Sequence, residues 1–169
     1  MASELRVDKI IPTAGAPTGG GGGIVQVVYT HLPSTGGQYS NNSTSYNDTG
    51  YDVLITPKFA TSKILVSVGV QIYATNSAYH SYVGIVRNDS GDLSGSGHPS
   101  GVLHHTSCLW ESSGPGQASN VSFQYLDSPS TTSQVKYSIY IKSDNTSNTV
   151  YINGSTYSDG YISAMEVSA

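Results

Sequence analysis

Residues 64–72, Ile64-Leu65-Val66-Ser67-Val68-Gly69-Val70-Gln71-Ile72 (ILVSVGVQI), decide the fold class. Ile64, Val66, Val68, Val70 and Ile72 share one parity against Ser67, Gly69 and Gln71. Successive side chains of an extended chain point to opposite faces, so this period of two predicts a strand with one face buried. A helix would need apolar residues every three to four positions, and no segment sustains that spacing.

Working outward, the same alternation recurs twice. Val121, Phe123 and Tyr125 alternate with Asn120, Ser122 and Gln124, and Val135, Tyr137, Ile139 and Ile141 alternate with Gln134, Lys136, Ser138 and Lys142. Shorter signals predict strands over Val25 to Thr30, Tyr51 to Thr56, Ser81 to Arg87, Val102 to His105, Thr149 to Asn153 and Tyr161 to Val167. Turn chemistry separates them: Pro33-Ser34-Thr35-Gly36-Gly37, Asn88-Asp89-Ser90-Gly91, Ser128-Pro129-Ser130, Asp144-Asn145-Thr146-Ser147 and Asp159-Gly160. Eight or nine short strands with two long polar connections, Gly36 to Gly50 and Gly91 to Gly101, predict an all-β, antiparallel, jelly-roll-like β-sandwich over residues 24–169.

Composition agrees with strands and polar turns. Hydrophobic residues make up 37% of the 169-residue chain, but 13 of them are Tyr, so strictly non-polar side chains are scarce for a private core. Only 11% are charged, with 7 Lys and Arg and a net charge of −4. Such a chain lacks the cations that neutralise a phosphate backbone, so nucleic acid is not an expected partner. No apolar run approaches the ~20 residues of a membrane helix, so no membrane partner is expected either. The single cysteine, Cys108, excludes an internal disulfide framework, and MASELRVDKII has no apolar stretch of signal-peptide length, which predicts synthesis in a reducing compartment.

Residues 1–23 read differently. Leu5, Val7, Ile10 and Ile11 are apolar, but Pro12, Pro17 and five glycines prevent regular continuation, so the segment is an irregular arm ending in a connector. A phosphate-cradling glycine loop needs a strand before it and a helix after it. After Gly19, Gly20, Gly21, Gly22 and Gly23 a strand begins instead, at Ile24-Val25, so the run is a flexible or closely packed connector.

Candidate chemistry is weak everywhere else. His31, His80, His98, His104 and His105 show no helical i,i+4 pair, and adjacent strand residues such as His104 and His105 face opposite ways, so no metal or cofactor is expected unless symmetry mates bring one His together on a three-fold axis. Cys108 reads as a packed thiol without a local base. Asp89, Asp92, Asp127, Asp144 and Asp159 sit in turn-like stretches and read as turn caps, and no calcium-loop spacing occurs. Asn47-Asp48-Thr49 and Asn153-Gly154-Ser155 are chance sequons in a chain rich in Asn, Ser and Thr. The informative excess is 13 Tyr against 2 Phe and 1 Trp, a composition suited to half-buried sheet faces, subunit contacts and stacking on sugars.

Several motifs together resemble a known group. Ser3-Glu4-Leu5-Arg6-Val7-Asp8-Lys9-Ile10 is similar to the short arm that opens many fibre-like virion structural proteins of tailed phages, marine cyanobacterial ones especially. Ile55-Thr56-Pro57-Lys58 with Ser62-Lys63-Ile64-Leu65, then Tyr125-Leu126-Asp127-Ser128-Pro129, Val150-Tyr151-Ile152-Asn153 and Ala164-Met165-Glu166-Val167, resemble the recurrent C-terminal domain of that group. The resemblance implies a non-enzymatic homotrimer of jelly rolls in the virion, made in the host cytoplasm and anchored to other virion proteins through the arm. It implies Leu5, Val7, Ile10 and Ile11 as docking contacts and Gly19 to Gly23 as a connector near the three-fold axis. Tyr79, His104 and Trp110 then fall on outer tips, as candidate contacts to host-surface glycans. No shaft separates arm from domain, which favours a short fibre or knob. A capsid decoration is the alternative location, and a lectin or glycan-active enzyme on the same sandwich is the alternative class.

Overall fold

A computed structural model of the chain describes residues 23–34, 39–76, 78–91, 93–94, 100–108, 115–153 and 158–168. The docking residues Leu5, Val7, Ile10 and Ile11, the connector residues Gly19 to Gly22, and Trp110 lie outside that set. The described residues hold ten strands: β1 (Ile24–Leu32), β2 (Tyr39–Asn41), β3 (Asn47–Ile55), β4 (Lys63–Asn76), β5 (Ser81–Arg87), β6 (Val102–Cys108), β7 (Pro115–Asp127), β8 (Val135–Ser143), β9 (Val150–Ile152) and β10 (Gly160–Val167). No helix occurs among them.

All pairings are antiparallel. The larger sheet runs β1-β10-β4 with β7 on the far edge of β4, and the smaller sheet runs β3-β8-β5-β6. β10 pairs with Lys63–Gly69 of β4 and β9 with Ile72–Ala74, while β7 holds the opposite edge throughout. β9 and β10 are therefore two halves of one broken column, and β2 and β1, their outer partners, are two halves of another. Counted as eight columns in chain order, the sheets run 1-8-3-6 and 2-7-4-5, which is jelly-roll winding. The stretch that reads as one polar connection from Gly36 to Gly50 contains β2 and the first turn-proximal residues of β3. Its residues carry no apolar alternation: β2 pairs with β9 through the backbone, and a buried asparagine ties the stretch to β8. Asn41, 5% exposed, donates from Nδ2 to the Ile141 carbonyl at 2.7 Å and accepts the Ser43 N–H at Oδ1, 2.8 Å.

The core lies between the sheets. Ile64, Val66, Val68, Val70, Ile72 and Ala74 face Val83, Ile85, Val135, Tyr137, Ile139 and Ile141, all buried. On β8 the alternate positions Ser138, Tyr140 and Lys142 are buried too and Lys136 is half-buried, although Lys136, Ser138 and Lys142 read as a solvated face. The reason is a second small cluster, Tyr46, Val86, Val102 and Tyr140, that covers the outside of the smaller sheet. Lys142, 2% exposed, lies there with its ammonium 4.9 Å from the ring centres of both Tyr46 and Tyr82. Burial lowers its pKa, opposed by Asp144.

Two carboxylates tie the end of the sandwich where β1 begins. Asp127, on the inner parity of β7, accepts the Tyr137 hydroxyl at 2.7 Å and Arg87 Nη1 at 2.8 and 3.0 Å, and so joins the two sheets rather than capping a turn. Glu166, fully buried on β10, accepts Gln26 Nε2 at 2.6 Å and the backbone N–H groups of Lys58 and Phe59 at 2.8 and 3.2 Å. Burial alone would raise its pKa, but these donors outweigh burial and hold the carboxyl below the usual range.

Candidate functional site on the outer face of the larger sheet

Of the residues singled out from sequence as surface contacts, Tyr79 and His104 are described, and they do not lie together. Tyr79 is half-buried in the turn after β4, at the end of the sandwich opposite Ile24. His104 pairs with Ile85 in the middle of the β5–β6 ladder. Its ring packs on Phe123 (centroids 5.5 Å) and lies nearly parallel to Tyr125 (6.0 Å, 15°), in the seam where β6 meets β7. The ladder puts His104 four residues, ~13 Å, from the β6 end nearest Tyr79. Gly23 abuts the start of β1 and accepts the Ser168 N–H at 2.9 Å, so the residue before β1 and the residue after β10 meet at one corner.

Of the other acids singled out, Asp89 and Asp144 have structural partners and Asp92 lies outside the described residues. Asp89 accepts Ser138 Oγ (3.0 Å) and Tyr140 OH (3.3 Å) and pairs with Lys136, and Asp144 pairs with His80 Nδ1 at 2.9 Å. Asn153, 1% exposed with φ +49°, spends its amide on the Leu32 carbonyl and the Gln71 N–H, and bridges the break between β9 and β10. Among the described residues, no group of three or more His, Cys, Asp or Glu is placed to hold a metal.

What the fold does assemble is the outer face of the larger sheet. Register puts Val27, Met165, Leu65 and Leu126 side by side across four strands. Val27 is 55% and Leu126 49% exposed, and Ile24, 62% exposed, extends the apolar row toward the arm. Further along, Tyr29 and Tyr161 lie nearly parallel (19°) with centroids 5.9 Å apart. Tyr161 covers Gly69: a Cβ there would come 3.0 Å from Cζ and closer still to Cε1. The ring thus lies flat on the sheet only because position 69 has no side chain. Two residues beyond Gln71 on the same face, Tyr73 and its ladder partner Tyr151 form a second pair, centroids 5.7 Å apart.

Between the two tyrosine pairs is an open groove of about 430 Å³, lined by Gly69, Gln71, Asn120, Ser122, Asp159 and Tyr161 among others. It lies beside the break between β9 and β10. Asp159 is held there by the Ser34 N–H at 2.7 Å and by His31 Nε2 at 3.2 Å, and these donors, Ser34 foremost, lower its pKa and keep it an acceptor. Gln71 Oε1 is buried with no hydrogen-bond partner among the described residues, an arrangement that costs about 1–3 kcal/mol when nothing fills it. Sequence reasoning missed these residues. The available signal was Gly69, an isolated glycine within a strong strand pattern, which marks a close approach.

The architecture defines the class: an all-β protein built as an antiparallel sandwich with jelly-roll winding. Among solved structures, the chain is similar to the T=1 particles derived from infectious bursal virus (TM-score 0.37, 10% identity, 96% of this chain and 42% of that one). It is also similar to the infectious bursal disease virus VP2 subviral particle (TM-score 0.35, 9% identity, 96% of this chain and 44% of that one). The chain spans less than half the length of each. No protein-family model matches the sequence, and a search of curated proteins finds no match.

Proposed function

We propose that this protein is a non-enzymatic structural component of a tailed-phage virion: a short knob that docks through residues 1–23, self-associates as a homotrimer, and presents the far part of its sandwich outward for host adhesion. The observation that carries this reading is polarity along one sheet face. Ile24, where the arm joins, sits beside Val167 and Lys63, and the row of exposed Val27 and Leu126 with half-buried Met165 and Leu65 lies next to it. The polar groove at Gln71 lies eight residues from Lys63 along β4, about 26 Å away.

A row of partly exposed apolar side chains at the arm end suits burial against further copies of the chain. It supplies only part of the ~800 Å² that each partner of a stable interface buries. The apolar arm residues Leu5, Val7, Ile10 and Ile11 are proposed to supply the rest of the apolar surface of that contact. The groove stays outside it. Light scattering tests this: the chain at micromolar concentration has the mass of three copies, and Val27→Asp with Leu126→Asp shifts it toward one. A monomeric wild type overturns the trimer, and unchanged particle incorporation after deletion of residues 1–17 overturns docking by the arm. Particle imaging that finds the protein at capsomer centres or vertices makes it a capsid decoration rather than a tail knob.

A further inference from the structure

The groove between the tyrosine pairs has a chemistry of its own. Its floor is polar, with the Gln71 and Asn120 amides and the Ser122 hydroxyl, and its rim holds the Asp159 carboxylate. Its wall is the Tyr161 ring, extended by Tyr29, which is 61% exposed. A flat apolar ring beside fixed donors and acceptors matches a pyranose, whose axial C–H groups lie on an aromatic face while its equatorial hydroxyls reach sideways. We propose that this groove is a saccharide-binding site for a neutral hexopyranose, a unit of a surface polysaccharide.

Four observations converge on that ligand. Gly69 lets Tyr161 lie flat over the strand, so the side chain is fixed as a platform before any ligand arrives. Gln71 lines the groove and its Oε1, closed to solvent, has no hydrogen-bond partner among the described residues, so turning the terminal amide toward a sugar hydroxyl gives up no bond at that oxygen. The lining residues include no Lys or Arg, and the one carboxylate already holds the nearby His31, so an anionic sugar would meet repulsion while a neutral one would not. The volume, about 430 Å³, accommodates one or two pyranose rings, and the Tyr73 and Tyr151 pair follows two residues beyond Gln71 on the same face. Tyr79, His104 and Trp110 are not required for this site.

The inference rests on the adhesion part of the proposed function and is independent of the trimer, because the groove belongs to one chain. The probe is a panel of neutral hexaoses (gluco-, manno- and galacto-configured, α- and β-linked), titrated against the full-length protein and followed by amide chemical shifts. At least one saturates with shifts centred on Gln71, Asn120 and Tyr161. Tyr161→Ala and, separately, Gln71→Ala weaken that affinity at least ten-fold while the thermal melt stays cooperative, and Val27→Asp leaves it unchanged. Failure of every hexaose to bind, or binding that survives both groove substitutions, overturns the proposal. Neither outcome alters the mass measurement that tests self-association.

Discussion

Substitution of Gly69 by Ala isolates the contact on which the candidate site depends. Glycine within a strand costs roughly 0.5–1 kcal/mol relative to alanine, so by backbone preference alone Gly69→Ala should stabilise. The added methyl, however, would sit 3.0 Å from Tyr161 Cζ and closer to Cε1, inside contact distance. The ring is on an outer face and can swing away, so the cost is a displaced rotamer of about 0.5–1.5 kcal/mol plus the ring pairing with Tyr29, worth roughly 0.5–1.5 kcal/mol. The net expectation is a loss of about 1 kcal/mol, and a melting point lower by roughly 2–4 °C for a chain of this size. In a Tyr161→Ala background the obstruction is gone, and the same substitution should stabilise by about 0.5–1 kcal/mol. Urea unfolding of the four proteins closes the cycle, with a coupling of roughly 2 kcal/mol between positions 69 and 161. Equal effects of Gly69→Ala in the two backgrounds would refute the claim that the missing Cβ seats the ring.

Two further substitutions probe the end of the sandwich near the arm. Asp127→Ala leaves the Tyr137 hydroxyl buried without an acceptor and Arg87 without its partner, and should cost about 2–4 kcal/mol in urea unfolding, against about 1 kcal/mol for Tyr137→Phe. Glu166 has a folded pKa below its ordinary value of 4.5, so its stabilising contribution is complete above that value and is lost as pH falls through the folded pKa. Unfolding free energies measured from about pH 6 downward should therefore drop, and Glu166→Gln should flatten that acid limb; an unchanged limb would contradict the role assigned to its hydrogen bonds.

The parity of Ile64, Val66, Val68, Val70 and Ile72 was legible because alternation is a local property: each residue reports its face through its immediate neighbours. The same holds for β5 and β8, whose starts at Ser81 and Val135 coincide with the apolar patterns. β2 was not legible, since Tyr39–Asn41 pairs through backbone and buried amide groups and shows no hydrophobic repeat. Nor could Asp127 be told from a turn cap, because its partners Arg87 and Tyr137 are 40 and 10 residues away. The apolar row depends on register alone: Val27, Met165, Leu65 and Leu126 come from four strands, and a slip of one residue would turn any of them inward.

What the sequence by itself determined is the all-β class, the approximate strands and the scarcity of charge, since periodicity and composition act through short-range geometry and solvation. What only the tertiary structure decided is which faces are shared. Tyr29, Gly69, Gln71, Asn120 and Tyr161 span more than half the chain, and they form one surface because antiparallel pairing fixes distant strands side by side at ~4.8 Å spacing.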